Sequence, residues 1–109
     1  MNKITAKRFA ANIGIKPTQE IEIVARSISD ALTLELNQNK TGKFEEFIGY
    51  EGEALGMSIN LIANPQDPDE YYDLDIYGTS KEDGETIDIT NYILSVLNKK
   101  TDLVCKKMD

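Results

Sequence analysis

The stretch YYDLDIYG, residues 71–78, alternates strictly between side chains suited to a core and side chains suited to water. Successive side chains of a β-strand point to opposite faces of a sheet, so this pattern predicts a strand. The face predicted to pack on the core carries Tyr72, Leu74 and Ile76. The opposite face carries Tyr71, Asp73, Asp75 and Tyr77. We expect the second set to face water and to form a candidate docking surface.

Acidic residues continue on both sides of this predicted strand. The candidate partner-binding residues are therefore Asp67, Asp69, Glu70, Tyr71, Asp73, Asp75, Tyr77, Glu82 and Asp83. Tyrosine is enriched at binding hot spots, and carboxylates make strong charge-assisted pairs with arginine and lysine. A purely structural interpretation stays open beside this one. In it, tyrosine favours the strand conformation and aspartate prevents edge-to-edge aggregation.

The residues before position 43 predict two helices. Four apolar residues at helical spacing predict a short helix over residues 3–13: Ala6, Phe9, Ala10 and Ile13. Residues 18–37 predict a longer helix with Thr18 as its N-cap. This order suggests a small regulator with a helix-turn-helix-like DNA-binding motif as one alternative. Glu20 and Glu22 count against it, because they would lie where the phosphate backbone passes.

Period-2 patterns after residue 42 predict three to four antiparallel strands. The strands are predicted at residues 43–50, 55–63, 71–78 and 85–89, with a turn at 51–53. Residues 90–97 predict a C-terminal helix, and residues 101–108 either an edge strand or a fraying terminus. The predicted fold class is α+β, as a single domain over residues 1–109. It has an N-terminal helix region, then an antiparallel β-meander of three to four strands and a C-terminal helix.

Composition and charge restrict the class of partner. With 109 residues, 40% of them hydrophobic and 28% charged, the chain has the size and composition of one soluble globular domain. The net charge of −7 disfavours nucleic acid and anionic membranes as partners and favours a basic protein. The sequence contains no secretion signal, no apolar run near the ~20 residues of a membrane span, and one cysteine. These features predict a cytoplasmic protein.

The residue types needed for catalysis are largely missing. The chain has no histidine, the commonest general base and metal ligand at neutral pH, so no imidazole can activate Cys105. The acidic run over residues 67–75 lacks the ligand spacing of a calcium loop, and the glycines lack phosphate-binding spacing. We therefore expect no enzymatic activity, no metal and no cofactor.

The order helix, three strands, helix over residues 18–98 resembles the double-stranded-RNA-binding domain. That family grips phosphates with a lysine-rich start of its last helix. The corresponding residues here are Asp88, Ile89, Thr90 and Asn91. This departure favours a molecule that imitates a polyanion over one that binds it. An acidic nucleic-acid mimic of the anti-restriction or anti-CRISPR type is therefore a further functional hypothesis.

The chain as a whole resembles the bacterial immunity proteins of polymorphic and contact-dependent growth inhibition toxin systems. The resemblance lies in its size, its acidity, and the acidic strand followed by the sequence DITNYIL at residues 88–94. It implies a small, non-enzymatic inhibitor that blocks a toxin domain, often a nuclease, in the cytoplasm. We therefore expect stoichiometric binding of a basic cognate toxin domain through the acidic, tyrosine-containing surface.

Overall fold

A computed structural model describes residues 8–40, 48–54, 57–63, 70–78 and 86–108 of the chain. Pairing of β-strands organises these residues. Within these ranges the elements are, in order, β1 (Arg8–Ile15), α1 (Ile21–Leu32), β2 (Asn37–Gln38), β3 (Ile48–Ala54), β4 (Met57–Ala63), β5 (Tyr72–Gly78), β6 (Thr86–Asp88), α2 (Thr90–Lys100) and β7 (Cys105–Lys107). The strands form one sheet in the order β2-β3-β4-β5-β1-β6, and β7 also pairs with β1. All these pairings are antiparallel except that of β1 with β6. The described residues thus form an α+β fold with two helices, and seven strands replace the predicted three to four.

The largest difference from the sequence prediction lies at the N-terminal end. Residues 8–13, predicted to be helical, belong to β1, and residues 3–7 lie outside the described ranges. Ala11, Ile13 and Ile15 alternate along the strand and are all buried, so a period of two fits this segment. β1 pairs with β5 on one side and with β6 and β7 on the other. These distant partners favour the strand, and the helix-turn-helix alternative loses its first helix.

The predicted long helix is present but shorter than expected. α1 spans Ile21–Leu32 instead of residues 18–37, and Glu20 rather than Thr18 is its N-cap residue. The helix ends at Thr33, whose φ of 54° lies in the left-handed region. The backbone N–H groups of Thr33 and Leu34 both donate to the carbonyl oxygen of Ser29. The positive φ therefore closes the last turn and ends the helix there.

The turn predicted at residues 51–53 is wrong, because these residues lie inside β3. β3 pairs with β4 from Ile48 opposite Ala63 to Ala54 opposite Met57. A Cβ atom on Gly52 would collide with the backbone carbonyl of Glu35. This glycine therefore marks the close approach of two backbone segments and not a reversal of the chain.

Both helices pack on the same face of the sheet. One buried cluster joins helix and strand residues: Ala11, Ile13, Ile15, Val24, Ala25, Ile28, Ala31, Ile59, Leu61, Leu74, Ile76, Ile93, Leu97 and Leu103. Burial of Leu74 and Ile76 confirms the core-facing side predicted for residues 71–78. The C-terminal helix is also confirmed as α2, and the tail contains the edge strand β7. The opposite face of β5 is thereby left for the polar side chains.

Candidate functional site

The face of the sheet opposite to the helices carries polar side chains from four strands. Cross-strand pairing places Asp75 of β5 between Asn12 of β1 and Asn60 of β4. Glu51 of β3 pairs with Asn60 on its other side. Residues two apart on a strand share a face, so Asp73 and Tyr77 flank Asp75 along β5. We call this surface the polar face and define it by Asn12, Glu51, Asn60, Asp73, Asp75 and Tyr77.

Asp73 and Asp75 form a hydrogen-bonded carboxyl pair at the centre of the polar face. Both side chains are half-buried. Burial raises the pKa of Asp75 to about 6, and the neighbouring charge of Asp73 adds to this shift. Burial also raises the pKa of Asp73, where the hydrogen bond with Asp75 opposes the shift and the charge of Glu70 adds to it. Two adjacent carboxylates out of water do not both ionise readily, so the pair retains a proton at mildly acidic pH.

Asn60 lies across from this pair and is only 5% exposed. Its Nδ2 donates a hydrogen bond to the hydroxyl oxygen of Tyr77 at 3.2 Å. Its Oδ1 and the buried Oδ1 of Asp73 have no hydrogen-bond partner among the residues that the structure describes. An unsatisfied buried acceptor costs about 1–3 kcal/mol. Both acceptor atoms are inaccessible to solvent, so the described fold leaves them unpaired below the surface of the polar face.

Two tyrosines border the carboxyl pair, and their rings differ in accessibility. Tyr77 is 43% exposed, and its hydroxyl group is held by Asn60. Tyr71 is half-buried, and the Lys106 Nζ lies 4.3 Å from its ring centroid. This distance is typical of a cation–π interaction. The Tyr71 ring is thus already occupied by a cation of the same chain, whereas the Tyr77 ring offers open surface.

The structure brings four of the predicted partner-binding residues to one side of the sheet: Tyr71, Asp73, Asp75 and Tyr77. Glu70 is exposed and directly precedes them. Asp67, Asp69, Glu82 and Asp83 lie outside the described residues. The two β5 aspartates differ from the expectation in one respect. They are half-buried and bonded to each other, where the sequence predicted that both would face water.

Sequence reasoning missed Asn12 and Asn60 as members of the site. Because the sequence pattern predicts a helix over residues 3–13, it does not place Asn12 on a face of the sheet. Asn60 lies between Ile59 and Leu61 in the most regular alternating strand, and asparagine is disfavoured in strands. That unusual residue choice was a signal for Asn60, since a polar amide inside a strand needs its own hydrogen-bond partners.

Other ionisable groups near the site have structural explanations. The Asp88 carboxylate accepts a hydrogen bond from the Thr90 N–H at 2.8 Å and lies 3.7 Å from the Lys107 Nζ. The Thr90 bonds, followed by the Lys107 charge, lower the pKa of Asp88, so this residue supports the start of α2. Burial raises the pKa of the Cys105 thiol, which disfavours a reactive thiolate. Among the described residues, no group of three Asp, Glu, Cys or His side chains could hold a metal ion.

Neither a scan of protein-family models nor a search of curated proteins gives a match to this chain. Across the described parts of the chain, neither helix is long and apolar enough to cross a membrane. Inference about function therefore depends on the chemistry of the polar face and of its neighbouring residues.

Proposed function

We propose that this chain is an immunity protein that neutralises a basic bacterial toxin domain, with the polar face as its binding surface. The observation that carries the proposal is the Asp73–Asp75 pair at the centre of a sheet face that neither helix covers. A preformed sheet loses little conformational freedom on binding, which favours tight association. The toxin would be inactivated by occlusion. A nuclease suits this mode, because its phosphate-binding cleft is lined with basic residues.

The distribution of charge supports a basic partner. Glu51 and Glu53 of β3 lie on the same side of the sheet as the Asp73–Asp75 pair. Along β7, the Lys106 ammonium group lies over Tyr71, and that of Lys107 pairs with Asp88. The centre of the polar face is therefore negative, in a chain whose net charge is −7. Such a surface steers a basic protein towards it from a distance and accelerates association.

Co-expression with the product of the neighbouring gene, which the proposal expects to be a toxic domain, tests this proposal directly. The chain should restore bacterial growth, and the two purified proteins should form a one-to-one complex. The double variant Asp73→Asn with Asp75→Asn keeps side-chain size and removes the charge. We expect it to bind at least about tenfold more weakly, with slower association because steering is reduced and faster dissociation because contacts at the centre of the surface are lost.

A matched double variant controls for the loss of two negative charges. Glu22→Gln with Asp30→Asn removes two exposed carboxylates from α1, on the other side of the sheet. This control variant should change the affinity by less than about twofold, because exposed charges far from an interface contribute little to binding. Absence of growth protection would contradict the proposed function. Equal weakening by both double variants would contradict the role of the polar face.

A further inference from the structure

The register of the sheet produces a depression in the polar face. Ala10 of β1 lies between Tyr77 of β5 and Asp88 of β6 in one cross-strand row. Side chains of such a row lie side by side on one face, so the short Ala10 methyl group leaves a gap between two longer side chains. The gap is an open depression of about 460 Å³. We call it the Ala10 depression, and its lining also includes Asn12, Asp75, Lys107 and Met108.

The Ala10 depression is accessible from solvent. Tyr77 is 43% exposed, and Asn12 and Asp88 are exposed as well. Ala10 and Asp75 are half-buried. Ligand sites in proteins commonly enclose about 300–1,000 Å³, so the volume suffices for one complete side chain. Because Ala10 and Asp75 line the same open depression, a side chain of another molecule can contact both without movement of the described backbone.

The lining favours an aliphatic side chain that ends in a cation. Ala10, Met108 and Tyr77 provide apolar atoms. Asp75 and Asn12 pair across β5 and β1, which places a carboxylate beside a side-chain amide on the same face. The long side chains of lysine and arginine combine a methylene stem with a charged end, so they can contact both parts of the lining at once.

The second carboxylate of the depression, that of Asp88, already has partners. It accepts a hydrogen bond from the Thr90 N–H at 2.8 Å, and it lies 3.7 Å from the Lys107 Nζ. A further cation at this end would be repelled by the Lys107 ammonium group. The Asp75 end of the depression is therefore the place for a cation from another molecule.

The surroundings of the Asp75 carboxyl group favour lysine over arginine. Asp75 is hydrogen-bonded to Asp73, so one side of its carboxyl group is already engaged. A guanidinium group binds a carboxylate most strongly through two parallel hydrogen bonds, which require both oxygens. The three donors of an ammonium group can instead bond one Asp75 oxygen, the Asn12 amide oxygen and water separately.

From this arrangement we propose that the Ala10 depression accepts one lysine side chain of the partner. The ammonium group binds Asp75 and Asn12, and the methylene stem lies over Ala10 beside the Tyr77 ring. This inference rests on the proposed function and names the chemical group that the surface recognises. Its test uses a free peptide and no toxin, so that the two proposals can fail separately.

A titration by nuclear magnetic resonance tests the depression without the toxin. The probe is an acetylated and amidated Gly-Lys-Gly peptide, added to the isotope-labelled full chain at pH 7.5. The expected dissociation constant is roughly 1–10 mM, as for a single side chain. The largest shifts should occur at the backbone amides of Ala10, Asn12, Asp75 and Tyr77.

Two matched peptides test which part of the lysine side chain is recognised. The norleucine peptide keeps the aliphatic stem and lacks the ammonium group. It should bind at least about tenfold more weakly, because it makes no charge-assisted hydrogen bond. The arginine peptide should bind about threefold more weakly, because its two parallel hydrogen bonds cannot both form at Asp75.

Three variants separate the depression from general attraction by charge. Ala10→Leu fills the gap without a change in charge and should weaken binding of the lysine peptide by more than about tenfold. Asp75→Asn keeps the side-chain size and should weaken it by about tenfold, the loss expected for one charge-assisted hydrogen bond. Asp30→Asn on α1 also removes one negative charge but should change the affinity by less than about twofold. Preserved spectral dispersion shows that each variant is folded.

Several results would overturn the lysine site. They are the absence of saturable shifts, shifts centred on another surface, equal affinity for the lysine and norleucine peptides, equal or tighter binding of the arginine peptide, and undiminished binding by folded Ala10→Leu or Asp75→Asn. If the lysine site fails while the toxin complex still covers the polar face, the proposed function stands. If the peptide binds as expected and no toxin is neutralised, the proposed function fails alone.

Discussion

The Asp73 and Asp75 side chains are hydrogen-bonded to each other on the polar face, two residues apart on the strand β5. Both belong to a strand that is paired on both sides, with β4 and β1. This position withdraws them from water and raises the pKa of each. The charge of the polar face therefore depends on pH in the mildly acidic range. Other charges near the pair are Glu70 before β5, Glu51 on β3 and Lys106 on β7.

The Asp73–Asp75 pair should make a contribution to the free energy of unfolding that decreases as pH rises. The pKa of Asp75 is about 6 in the folded chain and about 3.9 in an unfolded one. Between these values the folded state binds more protons, so the free energy of unfolding decreases with increasing pH. This contribution is fully present below pH of about 4 and is lost as pH passes 6. Asp88, whose pKa is lowered, acts in the opposite direction at lower pH.

Asp75→Asn isolates that contribution. The difference in the free energy of unfolding between the variant and the unmodified chain should shift in favour of the variant by on the order of 1 kcal/mol from pH 4.5 to pH 7.5. This value allows for solvent screening of the part-exposed Asp75 carboxyl group. Urea unfolding at several pH values measures the difference. Asp30→Asn removes an exposed helix carboxylate and is the matched control for the loss of one negative charge. A difference for Asp75→Asn that stays constant across this pH range would show that the pair does not titrate as described.

The end of α1 should tolerate glycine better than its natural residue. Thr33 is β-branched and exposed, and its φ is 54°. A side chain with a Cβ is strained in this left-handed conformation, so Thr33→Gly should stabilise the fold by about 1 kcal/mol. Thr33→Ala retains the Cβ and should not give this gain. Urea unfolding of both variants measures the effect, and equal stability would argue against backbone strain at residue 33.

Gly52 should be harder to replace than Gly14. A Cβ at Gly52 would meet the carbonyl oxygen of Glu35, which is backbone and moves only if the segment moves. Gly52→Ala should therefore cost about 1–3 kcal/mol, the usual range for overpacking. A Cβ at Gly14 would lie 2.5 Å from the Met108 Sδ, but that side chain is flexible and can turn away. Similar losses of unfolding free energy in the two alanine variants would contradict this interpretation.

The elements with strong local patterns could be predicted from the sequence. Residues 71–78 alternate without exception, and both the strand and its buried side were found. The helix α2 was also predicted, because its apolar residues recur at helical spacing. For residues 8–13 the local pattern was misleading. Ala6, Phe9, Ala10 and Ile13 fit a helix, but β1 is fixed by pairing with strands more than 50 residues away in sequence.

The candidate site could be predicted only in part for a similar reason. The sequence placed Asp73 and Asp75 on one face, because that follows from the alternation alone. Their burial and mutual hydrogen bond depend on the neighbouring strands β1 and β4, which no local pattern specifies. Asn60 entered the site through its register opposite Asp75. Register is set by the whole sheet, so the unsatisfied Asn60 oxygen could not be foreseen.

Hydroxyl-radical footprinting of the toxin complex measures most directly whether the polar face is the binding surface. Tyr77 on this face is 43% exposed, and Tyr92 on α2 is 68% exposed, so one chain contains both probe and control. Binding should strongly reduce oxidation of Tyr77 and leave that of Tyr92 unchanged. Protection of Tyr92 with unchanged oxidation of Tyr77 would place the partner on the helices and contradict the proposed role of the Asp73–Asp75 surface.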